Sequence, residues 1–137
     1  MKTHGVDLDK TTATYDTWKG PEHIGEPIPL MQVRIAAWFA NGDAVDVFTA
    51  RMHPSHGDEE TAAAEVAIRA WYMKVFGQEP REVTCEKNPK WDDIWDDKTV
   101  QVVPNTGERA DGVKDVDVTL EKVDGIGEFL GDVEVVP

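Results

Sequence analysis

Two hydrophobic periods alternate along the first hundred residues, and that alternation restricts the fold more than any other feature of the chain. His4-Gly5-Val6-Asp7-Leu8 is a short strand-like run. Leu30, Met31, Ile35 and Trp38 then recur at helical spacing, predicting a helix from Leu30 to Ala40 that Asn41-Gly42 stops. Ala44 to Thr49 reads as a mostly buried strand. After the turn-like His53-Pro54-Ser55-His56-Gly57, Asp58 caps a second predicted helix with the stripe Ala64, Ile68, Trp71 and Val75, closed by Gly77. Arg81 to Cys85, Asp93 to Trp95 and Val100 to Val103 complete the expected strands. Strands alternating with helices predict an α/β chain with three layers around a central, mainly parallel sheet.

The 137 residues suit one compact domain, which at this size buries roughly two thirds of the surface of its unfolded chain. We expect that domain to span residues 1–110, followed by an acidic extension over 111–137. The extension holds eight acids against Lys114 and Lys122. Val116-Asp117-Val118-Thr119-Leu120 alternates like an edge strand, so partial order is expected there. A formal net charge of -13 repels phosphate backbones and opposes non-specific binding to nucleic acid. The single cysteine, Cys85, has no internal disulfide partner. No signal-like segment follows Met1-Lys2, and no run approaches the roughly 20 apolar residues of a membrane span. A reduced, cytoplasmic setting is therefore expected.

In open α/β sheets, sites form beyond the carboxyl ends of the strands. Four such ends carry candidate chemistry. Val6-Asp7-Leu8-Asp9-Lys10-Thr11 delivers two carboxylates two residues apart: Asp7 can attack phosphorus, and Asp9 can move a proton to or from the leaving oxygen. Val47-Phe48-Thr49-Ala50-Arg51 ends in a small hydroxyl that can donate to a phosphoryl oxygen. Cys85-Glu86-Lys87-Asn88-Pro89-Lys90 offers ammonium groups, with Lys87 nearer the strand end than Lys90. Ile94-Trp95-Asp96-Asp97 brings adjacent acids between apolar segments, an arrangement that favours a hard cation such as Mg²⁺. The long polar loop from Asp9 to about Pro29 adds Trp18, which can stack on a base or sugar, and Lys19, which can meet a phosphate.

The order of these motifs resembles the haloacid dehalogenase superfamily of phosphatases and phosphotransferases. Asp7-x-Asp9-x-Thr11 is similar to its first motif, Thr49 to its second, Lys87 to its third and Asp96-Asp97 to its fourth; Lys10 stands where the family most often has Gly. The resemblance covers roughly residues 3 to 105 and implies a Rossmann-like fold. It also implies Mg²⁺ held by Asp7, by the backbone carbonyl of Asp9 and by the Asp96-Asp97 pair. Thr11 and Arg51 are expected to bind the substrate. The stretches from Asp9 to Thr49 and from Thr49 to Lys87 are too short for a folded cap. Capless members of the family tend to act on large substrates, or to use an oligomer partner as cover, so a homo-oligomer fits as well. The expectation is a Mg²⁺-dependent phosphomonoester hydrolase acting on a nucleotide or other phosphorylated metabolite. The alternatives are a polynucleotide-end phosphatase and a catalytically silent acidic binding protein.

Overall fold

The computed structural model describes residues 1–117 together with 134–135. The chain divides into two compact units, 1–97 and 98–137. In the first unit, β1 (Thr3–Val6), β2 (Ala44–Phe48), β3 (Glu82–Thr84) and β4 (Asp93–Trp95) form one sheet in the order β3-β2-β1-β4. Every neighbouring pair is parallel, as the alternation predicts.

Parallel neighbours require crossovers. Helix α1 (Pro29–Ala40) joins β1 to β2, and α2 (Asp58–Phe76) joins β2 to β3. Both connections step the same way along the sheet, and their right-handedness then puts both helices on one face, where they touch. Pro29 opens α1 at a position that needs no N–H. Met31 and Ile35 are buried, whereas Leu30, expected in the apolar stripe, is exposed. Helix α2 is capped at Gly57, and Asp58 is its first helical residue rather than its cap. Asp58, Glu59 and Glu60 in its first turn complement the helix dipole. Its buried line is Ala64, Ile68 and Tyr72, with Trp71 and Val75 half-buried beside it. Gly77 ends it at φ 72°, a left-handed turn that glycine enters without strain. Val6, Leu8, Val45, Val47 and Val83 form the core with Met31, Ile35, Ile68 and Tyr72.

The other face is covered differently. Residues 85–92 return from β3 to β4 without a helix and lay the Trp91 ring directly on Gly5, where a Cβ would stand 2.3 Å from the ring. Trp91 Nε1 donates to Asp46 Oδ2 at 2.7 Å, and fully buried Asp46 also accepts from Arg81 Nε at 3.0 Å and Nη2 at 2.6 Å. Among the described residues the third layer is thus a loop carrying one tryptophan. At the opposite end of the strands from Asp7, buried His4 lies between Asp43 at 2.8 Å and Asp93 at 2.6 Å. Its ring stacks on Trp38 with centroids 3.9 Å apart.

In the second unit, Val100 to Val103 does not form the expected strand. These residues flank the turn Pro104-Asn105-Thr106, Asn105 has φ 64°, and the pairing is a single antiparallel bridge between Val102 and Arg109. Val100, Val102 and Val103 are exposed, so no buried face holds them in a sheet. Strand β5 (Val116–Asp117) pairs antiparallel with β6 (Glu134–Val135). The rest of the expected edge strand, 118–120, lies outside the described residues. No helix among those described is long and apolar enough to cross a membrane.

Candidate functional site

Strand β1 occupies the middle of the sheet, so its carboxyl end is flanked by the ends of β2 and β4. Asp7 follows the last residue of β1, and its N–H continues the parallel ladder by donating to Trp95 O at 2.8 Å. This sets Asp7 beside Asp96, the next residue along the β4 chain. One carboxylate oxygen from each of Asp7, Asp96 and Asp97 lies within 4.8 Å of the others. The Leu8 N–H donates to Asp7 Oδ1 at 2.8 Å and orients the carboxylate. Thr11 Oγ1 sits 3.4 Å from Asp7 Oδ2 and 3.3 Å from Asp97 Oδ1.

The turn after Asp7 is wound tightly. The N–H groups of Thr12 and Ala13 both donate to Leu8 O at 2.9 Å, and Thr12 Oγ1 donates to Asp7 O at 2.7 Å. Lys10 takes φ 68° within this turn, the conformation that glycine adopts most easily. Burial raises the Asp7 carboxyl from 3.8 to about 7; proton sharing with Asp97 and the charges of Asp96 and Asp97 add to the rise, against the Leu8 N–H.

Three converging acids at a half-buried strand end form an all-oxygen donor set, which suits a hard divalent cation. Octahedral Mg²⁺ spaces its ligand oxygens about 3–4 Å apart, which the span of the cluster accommodates. The residues present therefore fit the ion.

No protein-family model, curated protein or solved structure matches this chain.

Asp9 stands apart from the acidic cluster. Its two oxygens accept from Arg51 Nε and Nη2, each at 2.8 Å, so neither can give a proton in this arrangement. The Arg51 side chain is only 4% exposed, and Trp18 covers its face with the ring centroid 5.0 Å from Cζ. Trp18 also stacks on His56 at 6.0 Å. Lys19 reaches Asp16 at 3.5 Å. Thr49 is buried at the end of β2, where its Oγ1 accepts the Arg51 N–H at 3.2 Å and donates to no acceptor among the described residues.

Lys87 follows β3 in the chain. It lies exposed in the β3–β4 connection and forms no hydrogen bond or ion pair among the described residues. None of the main causes of the Asp7 shift is a lysine. Strand β3 is an edge strand separated from β1 by β2, and the connection after it covers the sheet face with Trp91. Lys90 is also exposed, and its backbone N–H donates to Asn88 Oδ1 at 2.9 Å.

Sequence reasoning missed Thr12, although the Thr11-Thr12 doublet after two acids was a usable signal for a hydroxyl clasp. It also missed His23, which lines the cavity beside Arg51. No spacing rule marks His23, because irregular loops set side-chain placement by contacts that leave no period.

Proposed function

We propose that the chain is a Mg²⁺-dependent phosphomonoester hydrolase with Asp7 as nucleophile. The observation that carries this reading is the meeting of Asp7 with Asp96 and Asp97 at the ends of adjacent strands. Bound there, Mg²⁺ would hold Asp7 ionised and offset the charge of the phosphoryl oxygens.

The chain's own groups supply the remainder. An Asp7 oxygen attacks phosphorus, forming an acyl phosphate as the bond to the leaving oxygen breaks. Thr11 and Thr49 offer hydroxyl hydrogens to the phosphoryl oxygens, at no cost in added charge. Asp9 gives its proton to the leaving oxygen and later takes one from the water that hydrolyses the acyl phosphate. Because Arg51 holds both Asp9 oxygens in the resting site, Asp9 must turn from that fork, or take its proton on one oxygen, before it can act. A phosphorylated metabolite is the substrate class that this reading favours. Cytoplasmic conditions, with Cys85 as a free thiol, suit it.

The test is a panel of phosphorylated metabolites and phosphate-ended oligonucleotides, assayed with Mg²⁺ and with EDTA. Turnover that requires Mg²⁺, vanishes in Asp7→Asn and falls roughly a hundredfold to ten-thousandfold in Asp9→Asn is the expected result. Preference for oligonucleotides would move the reading to a polynucleotide-end phosphatase. Inactivity on the whole panel with Mg²⁺ would leave a silent acidic binding protein.

A further inference from the structure

Next to Asp9 is a cavity that the chemistry at Asp7 does not use. Its volume is about 270 Å³, and its lining includes Tyr15, Asp16, Lys19, His23 and Arg51, with Asp16 held by Lys19. A guanidinium has five N–H groups. Arg51 commits Nε and one Nη2 hydrogen to Asp9, and one Nη1 hydrogen to Pro21 O at 3.3 Å. Two of its N–H groups therefore have no partner among the described residues, although the side chain is 4% exposed.

A buried cation with unfilled donors on a cavity wall is a receptor for an oxyanion, because charge-assisted bonds to such a fork are strong and directional. Asp9 and the Trp18 ring already fix the fork, so binding immobilises little that was free. Lys19 adds an ammonium group from the same loop. The present partner of Lys19, Asp16, is 81% exposed and 3.5 Å away, a pair that water holds weakly. We propose that this cavity receives a second anionic group of the substrate, so that preferred substrates are small phosphomonoesters bearing another phosphate or a carboxylate. A volume of about 270 Å³ takes one charged substituent on a small scaffold. The inference rests on the phosphatase reading for the identity of the ligand, and on Arg51 for its recognition.

Two assays keep those apart. The first compares kcat/KM for 3-carboxyphenyl phosphate with that for the neutral 3-carbamoylphenyl phosphate. The acid should be preferred by about tenfold or more, the size expected of a charge-assisted bidentate contact. The ratio should fall toward one in Arg51→Lys, which keeps the charge and loses the fork, and in Lys19→Gln, which lies outside the buried pair and decides the matter if Arg51→Lys fails to fold. The second assay measures calorimetric binding of the corresponding non-hydrolysable phosphonates. If no ester turns over but the carboxylate still tightens phosphonate binding, and Lys19→Gln removes that gain, the anion site stands without the phosphatase. Turnover without a carboxylate preference overturns the anion site and leaves the phosphatase in place. A preference that survives both substitutions also overturns it, as does equal phosphonate affinity.

Discussion

Replacing Asp7 with asparagine keeps the shape of the side chain and removes a charge that the site holds at a cost. Asn Oδ1 can still accept the Leu8 N–H, and Asn Nδ2 can donate toward Asp97. The Asp7 carboxyl is raised from 3.8 to about 7, first by burial and then by the neighbouring acids. That rise, at about 1.4 kcal/mol for each tenfold gain in proton affinity, bounds the destabilisation at ~4 kcal/mol. The side chain is only partly buried, so screening by water reduces the figure to about 2 kcal/mol. The sign follows from the raised value. The folded state binds the proton more tightly, so stability is fully present below pH 3.8 and is lost as pH rises through about 7. Urea unfolding in EDTA should thus give Asp7→Asn no advantage near pH 4 and about 2 kcal/mol near pH 8. Mg²⁺ at a hundred times its dissociation constant adds about 2.7 kcal/mol to the wild type, and much less to the variant, which reverses the order. A variant advantage independent of pH, or a variant less stable than wild type at pH 8 in EDTA, would refute the argument.

Lys87→Ala should leave turnover within about twofold of wild type, as expected for an exposed side chain with no hydrogen bond or ion pair among the described residues; a loss of a hundredfold would put the lysine in the mechanism. Gly5→Ala drives a methyl group into Trp91, 2.3 Å from the ring, and should lower stability by about 3 kcal/mol in thermal melts; an unchanged melting temperature would show that Trp91 does not lie there. The hydrogen bond from His4, helped by the Lys2 N–H, holds the Asp43 carboxyl down at about 2. A lowered carboxyl stabilises the fold above pH 3.8, and that stability is lost as pH falls toward 2. His4→Phe should therefore move the acid-unfolding midpoint to higher pH, and an unmoved midpoint would sink this account.

The elements with a period were legible. Met31 and Ile35 on α1, Ala64 and Ile68 on α2, and the apolar runs of β1 and β2 are driven by one buried face, which is what a hydrophobic pattern records. Asp7, Asp96 and Asp97 were found because acids placed directly after such runs must sit at strand ends. Proximity of Lys87 along the chain to β3 says nothing about strand order, and β3 proves to be an edge. Val100 to Val103 has a strand's composition, but the turn at Pro104-Asn105-Thr106 leaves it one antiparallel bridge, to Arg109, among the described residues. The pairing of Asp9 with Arg51 could not be read, because it depends on a 3₁₀ turn over Ala50–Met52 that folds the arginine back beneath Trp18.

Strand order also governs when the acidic site comes together. Strands β1, β2 and β3 are neighbours both in sequence and in the sheet, whereas β4 pairs with β1 across most of the first unit. Contacts of such long sequence separation close late, after the loop entropy of the intervening chain has been lost. Strand β4 spans only Asp93–Trp95 and its middle residue Ile94 is exposed, so it is the part of the sheet most prone to open locally. It also carries Asp96 and Asp97 toward Asp7, against their mutual repulsion. Opening of β4 and dispersal of the three acids are then a single event, and amide exchange along β4 measures the assembly of the site independently of any turnover.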